Sequence, residues 1–383
     1  MKNMIISCKA IKTALLLSLT FLFSAAADTN VHPLKILHIS FHLGCIKDFE
    51  EVARELDLDL TSWYVLSSDL PREHFDGKTL GNAVYNITHE RARMVWEKHK
   101  NFFNQFDVIL TSDTAPLSRI FLQNGWQKPL IIWICNRFDY CDYATSEGKF
   151  PDREYYELFR AATHQPNVKI VGYTPYEHVY AKAKGIDTGS FTIKPLGSQE
   201  KGIRDKHETS IPATINKSET FFIYPRLTGD QLSYIKKKCS EIGLKTYSGR
   251  YNGPNDLEGF KGIIYYPYAW SNLAVFENMQ RGIIHFIPSE KFILQMVHEG
   301  IPVRYVTLNQ FELVEWYSKD YRPFFVYFDS WEDLKEKASK DYGSLSAAVK
   351  KCTQEQRKTM LDRWHMVFDE CSQILTKNNL AYS

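Results

Sequence analysis

Residues 265–289, YYPYAWSNLAVFENMQRGIIHFIPS, decide how this chain is read. Aromatic residues finish a strand-like run, a polar Ser271-Asn272 step follows, and an apolar-periodic segment predicts a helix ending at Arg281-Gly282. The chain then returns as a second strand over residues 283–287. Glu277 is the lone acid of that helix. A strand, a turn, a helix and another strand in this order belong to a parallel sheet covered by helices. Amide N–H groups at such a helix start can face phosphate, and an acid further along can accept hydrogen bonds from ribose hydroxyls.

Outward from this unit the same alternation recurs. Strands are predicted over 35–40, 60–66, 106–111, 129–135 and 168–172, with helices over 48–56, 90–106, 115–124 and 176–184 between or after them. Residues 198–218 are polar, contain Pro212 and lack apolar periodicity, which marks a linker. A second series follows, with strands over 220–224, 244–248, 262–266, 303–306 and 323–328 and helices over 229–242, 331–338 and 354–375. The expected fold is α/β, two Rossmann-like domains with parallel sheets facing across a cleft. Its parts are a first domain at 34–198, a linker at 199–217, a second domain at 218–345 and a C-terminal helix at 350–380 that can return to the first domain.

Composition agrees with a globular chain: 383 residues, 14% aromatic and 24% charged. A formal charge of +2 gives no electrostatic case for nucleic acid as a partner. The N-terminus departs from this average. Lys2, Lys9 and Lys12 precede an apolar run over 14–23, and Ser24-Ala25-Ala26-Ala27 supplies small residues for cleavage. Residues 1–27 therefore read as a secretory signal peptide or signal-anchor, which leaves membrane association open. The expected location is the lumen of the secretory pathway or outside the cell. Of seven cysteines, Cys8 lies in the leader, and Cys45, Cys135, Cys141, Cys239, Cys352 and Cys371 remain. Cys135–Cys141 and Cys352–Cys371 are the local pairs to test as disulfides, against buried free thiols. No CxxC spacing suggests zinc. Sequons stand at Asn86 and Asn216.

The chain resembles the GT-B glycosyltransferases, and among them the broad retaining class with an E-x7-E donor motif. Glu277-Asn278-Met279-Gln280-Arg281-Gly282 matches the E-x-M-x-x-G around the later acid. Ala269 stands where the family has its first acid, and Asn272 where its phosphate loop has a glycine. These departures leave sugar identity, stereochemistry and activity itself open.

The resemblance implies a sugar transfer from a nucleotide-sugar donor to a glycan, lipid or protein hydroxyl, with no cofactor and no required metal. It assigns Glu277 to the ribose, and Ser271, Asn272 and Leu273 to the diphosphate. Arg226, after the strand at 220–224, would reach the same phosphates, since a guanidinium offers paired donors and stays charged. Arg250 falls where the family's base-binding loop lies. In the first domain His42 follows the first strand and can serve as a general base if the enzyme inverts. Asp113 ends the third strand and can orient that histidine, bind acceptor hydroxyls or cap the next helix. Arg137 and Asp139 follow the fourth strand, facing the cleft or forming an ion pair. The competing readings are a secreted two-lobed binding protein and a catalytically inactive glycosyltransferase-like protein.

Overall fold

The computed structural model describes residues 33–65, 74–75, 78–79, 87–140, 152–197, 211–225, 227–301 and 310–382. The leader, Arg226, Cys141, Asn86, most of the linker and the strand expected at 303–306 lie outside the described residues.

The first sheet contains β1 (Lys35–Ser40), β2 (Asp59–Tyr64), β3 (Val108–Asp113), β4 (Leu130–Ile134) and β5 (Val168–Gly172). Every described pairing between them is parallel, and the spatial order is β2-β1-β3-β4-β5. β4 reads LIIWI and is buried along its whole length, as a strand covered on both faces must be. Alternation along each strand divides the core in two. Leu37, Ile39, Ile109 and Ile132 face α2 (His89–Phe103) and α3 (Arg153–Ala162). Ile36, Val108, Leu110 and Trp133 face Phe49 and Val52 of α1 (Leu43–Glu55) and the C-terminal helix. The last helix of this half, α4 (Pro175–Ala183), opens on a capping box in which Thr174 and Glu177 satisfy each other's backbone amides.

The second sheet contains β6 (Thr220–Ile223), β7 (Lys245–Tyr247), β8 (Gly262–Ile264), β9 (His285–Pro288) and β10 (Val326–Phe328). It is also parallel, in the order β10-β9-β8-β6-β7. Helices α5 (Gly229–Glu241), α6 (Leu273–Gln280), α7 (Glu290–His298) and α8 (Trp331–Ala338) complete this half. Numbered from its own first strand, each sheet has the same order, 2-1-3-4-5. The two halves are thus built on one doubly wound plan.

A 40-residue helix, α9 (Gly343–Tyr382), ends the described chain. Its start packs on the second half, where Ser346 donates to the Gly282 carbonyl at 2.7 Å and Val349 joins the core. Its later turns bury Met360, Trp364, Val367 and Phe368 against the first sheet. Arg357 of α9 bridges Glu51 and Glu55 of α1.

Some expectations need correction. α1 starts at Leu43 rather than at 48, because the His42 side chain caps it. Residues 115–124 are a 3-10 turn, Ala115–Ser118, followed by one α-turn, Arg119–Leu122, rather than one continuous helix. The helices α3 and α7 were not anticipated. Cys352 and Cys371 are free thiols on the same helix, 19 positions apart, so they cannot bridge. Among the described residues no helix is long and apolar enough to cross a membrane.

Candidate functional site

In a doubly wound sheet the crevice for ligands opens beyond the carboxyl ends of the strands, where the strand order reverses. In the first sheet that point lies between β1 and β3, and in the second between β6 and β8. The two crevices face each other. A Cβ on Gly44, at the start of α1, would sit 2.8 Å from Leu273 Cδ1 at the start of α6. Beside them Tyr176, from the first turn of α4, stacks on Trp270, in the loop between β8 and α6. Their ring centroids are 3.5 Å apart and the planes 12° from parallel.

On the first-sheet side His42 is the N-cap of α1. Its Nδ1 accepts from the Cys45 amide at 3.3 Å, and its own amide donates to Ser40 Oγ at 3.1 Å. With Nδ1 accepting, the neutral ring carries its proton on Nε2. For Nε2 to take a proton from an acceptor hydroxyl, the cap has to let go; otherwise the basic nitrogen is Nδ1. Asp113 ends β3 with φ +68°, one of two described residues other than glycine in the left-handed region. Its Oδ1 accepts from Asn136 Nδ2 at 2.8 Å. Burial pushes its carboxyl up to about 7, and the hydrogen bond from Asn136 opposes the rise. His42 and Asp113 stand at neighbouring strand ends, since Ser40 of β1 pairs with Ser112 of β3. Asn136 was not anticipated; its only signal in the sequence is its place directly after the Cys135 that ends an apolar strand.

Arg137 lies half-buried beyond β4, its guanidinium 5.9 Å from the Tyr140 ring and 5.8 Å from the Tyr180 ring. Asp139 is buried and accepts from Tyr156 Oη at 2.6 Å and Tyr180 Oη at 3.0 Å, which fixes it in the wall of the first half.

On the second-sheet side Asn272 caps α6. Its Oδ1 accepts from the Ala274 amide at 3.0 Å and its Nδ2 donates to the Tyr268 hydroxyl. Ser271 Oγ is shielded from solvent and has no hydrogen-bond partner among the described residues. Leu273, the first residue of α6, packs toward the first-sheet core. Glu277 lies one turn further on, half-buried; burial raises the Tyr224 hydroxyl pKa, and the charges of Tyr251, Tyr268, Tyr265 and last Glu277 add to that rise. Tyr224 follows β6 and accepts from Asn278 Nδ2, so α6 is tied to the end of the neighbouring strand. The aromatic run 265–270 divides: Tyr265 and Tyr266 are core, whereas Tyr268 and Trp270 are half-buried at the crevice. Arg250 is exposed beyond β7. Arg226 lies outside the described residues.

His42, Asp113, Leu273 and the α6 start are thus gathered at the paired crevices. Arg137 stands at the end of the neighbouring strand, and Arg250 lies on the far side of the second sheet's crevice, beyond its edge strand.

No family model matches this chain, and no curated protein matches it. Among solved structures it is similar to the glycosyltransferase SnogD from Streptomyces nogalater, at 11% identity over 87% of this chain and 100% of that one, with a TM-score of 0.47. It is similar to LpCGTa in complex with UDP, at 12% identity over 86% of this chain and 99% of that one, with a TM-score of 0.48. It is also similar to a UDP-N-acetylglucosamine 2-epimerase from Rickettsia bellii, at 11% identity over 90% and 98%, with a TM-score of 0.40. The fold is α/β with two Rossmann-like halves, GT-B-like as expected, and the strand order of the two sheets is what establishes it.

Proposed function

We propose that this protein is a glycosyltransferase that moves a sugar from a nucleotide-sugar donor to a hydroxyl acceptor. The observation that carries the reading is the pairing of the two crevices. One presents a helix start with an acid on its second turn, and the other a histidine and a carboxyl group at the matching strand ends. In this reading the diphosphate lies against the start of α6, where Ser271 Oγ is available as a donor and the helix dipole favours negative charge. Glu277 accepts from the ribose hydroxyls. Donors held in place before the reaction stabilise the charge that develops on the leaving diphosphate. His42, with Asp113 beside it, receives the acceptor proton, and Arg137 borders the acceptor side. Arg226 and Arg250 are assigned to the donor's phosphates and base from the family resemblance alone.

Calorimetric titration with UDP and the other nucleoside diphosphates tests the donor site. Binding is expected for at least one of them, with Glu277→Ala weakening it about tenfold or more, equivalent to about 1.4 kcal/mol. Absence of binding by every nucleoside diphosphate, or unchanged affinity in Glu277→Ala, refutes the assignment. Turnover of the matching nucleotide sugar in the presence of acceptor hydroxyls then separates a transferase from a binding protein.

A further inference from the structure

We propose that Lys194 is a positioning residue: reaching from the first half through the buried Glu315 carboxylate, it sets the loop between β8 and α6 that carries Ser271 and Asn272. The proposal rests on the reading that a diphosphate lies against the start of α6. Lys194 follows α4 in the first half, and its ammonium donates to Glu315 Oε1 at 2.5 Å. Glu315 belongs to the second half, in the turn Glu315–Tyr317 ahead of β10. The two side chains are 15% and 3% exposed, so this ion pair is largely shut away from water. The Glu315 amide donates to the Trp270 carbonyl at 2.9 Å, and Ser271 and Asn272 directly follow Trp270. A cation of one half is thus tied in two steps to a loop of the other.

Further contacts act on the same loop and helix. Tyr176 of α4 stacks on the Trp270 ring, so the first half holds this residue by its side chain as well as through its carbonyl. The Lys194 ammonium lies 4.2 Å from the centre of the Tyr321 ring. Tyr321 in turn meets Phe276 of α6 edge to face, at 5.7 Å between ring centroids.

Desolvating two charges offsets much of their attraction, so an apolar pair of similar volume can join two surfaces as firmly. What the ion pair adds is direction, because Lys194 is the one ion-pair partner of Glu315 among the described residues. The second carboxylate oxygen, Oε2, is shielded from solvent and has no hydrogen-bond partner among the described residues. Without Lys194 the buried carboxylate has to turn towards water or take up a proton, and the tie to the first half is lost either way.

The test compares wild type with Lys194→Met, Lys194→Arg and the double variant Lys194→Met/Glu315→Gln, each as the intact chain and well below its thermal midpoint. Calorimetry measures affinity for UDP, ADP, GDP and CDP, and hydrogen–deuterium exchange follows the amides of residues 266–280. Lys194→Met is expected to weaken nucleotide binding about fivefold or more, and to speed exchange over 266–280 beyond any rise elsewhere in the second half. Lys194→Arg keeps the charge and should restore most of both. The double variant strands no charge, should move both readouts as Lys194→Met does, and decides the test if the single variant does not fold. A residue that serves only the fold lowers the midpoint but leaves affinity and local exchange at their wild-type values, and that result overturns the proposal. If wild type binds none of the four nucleotides, the donor reading fails by itself and exchange alone decides whether Lys194 sets the loop. Unchanged exchange over 266–280 then overturns the proposal, and faster exchange confined to that segment upholds it.

Discussion

Asp113 combines two costs that a residue serving only the fold would avoid. Its backbone is left-handed, at φ +68°, and its carboxyl is held near neutrality by burial. The second cost predicts a pH dependence. A carboxyl whose folded pKa is raised from 3.8 to about 7 leaves stability intact below the unfolded value and lowers it as pH climbs through about 7. Asp113→Asn removes the charge, tolerates the left-handed backbone and can still accept from Asn136. The variant should resist urea better than wild type at pH 8, by on the order of 2 kcal/mol, with the difference vanishing near pH 4. Identical unfolding midpoints at pH 8 would contradict a desolvated carboxylate. If Asp113 serves His42 in proton transfer, the same variant should be the slower catalyst. Asp113 was legible in sequence as a strand-end acid. Its strain and its raised pKa were not, because both arise from the neighbours that the fold places around it.

Among the elements, the joint between the halves is the most constrained. The chain leaves the first half through Leu196-Gly197, whose amides donate to the buried Asp48 carboxylate of α1 at 3.1 and 2.8 Å. Gln280 of α6 donates to the Leu196 carbonyl from the other side. Gly197 has φ +77°, and a Cβ there would stand 2.8 Å from the Phe276 carbonyl carbon and 3.0 Å from the Glu277 nitrogen. The side chain would meet backbone, which cannot rotate away. Gly197→Ala should therefore cost more than the roughly 1–2 kcal/mol of left-handed strain alone, read as a fall in the urea midpoint. A neutral effect would mean that the joint moves freely over α6. The polar stretch after this point announced a linker. Nothing in Gly197 or Asp48 announced that the last residues before the linker pass between two helices, one from each half.

At the scale of the whole molecule, α9 belongs to both halves. Trp364 is fully buried against the first sheet, with its ring centroid 5.1 Å from Phe49 and 5.3 Å from Trp133, although it lies 192 positions beyond Gly172, the end of the last strand of that sheet. Trp364→Ala should destabilise the protein by about 3–5 kcal/mol, measured by thermal or urea unfolding. A loss below about 1 kcal/mol would show that this part of α9 is not part of the first half's core. Periodicity along the chain predicted a helix over 354–375 and, with the apolar runs, the two α/β series, because burial on one face or both leaves its mark residue by residue. The α6 unit was legible for the same reason: cap, apolar stripe and closing glycine are all local. Two things required the tertiary structure. The shared 2-1-3-4-5 order depends on which strands pair, and pairing is a contact between distant segments. The meeting of His42, Asp113 and Leu273 depends on how the two sheets face each other. Sequence by itself determined most of the elements and the kind of sheet they build, since those follow from local burial and backbone chemistry. Which side chains share a crevice was decided only when the strands had chosen their neighbours.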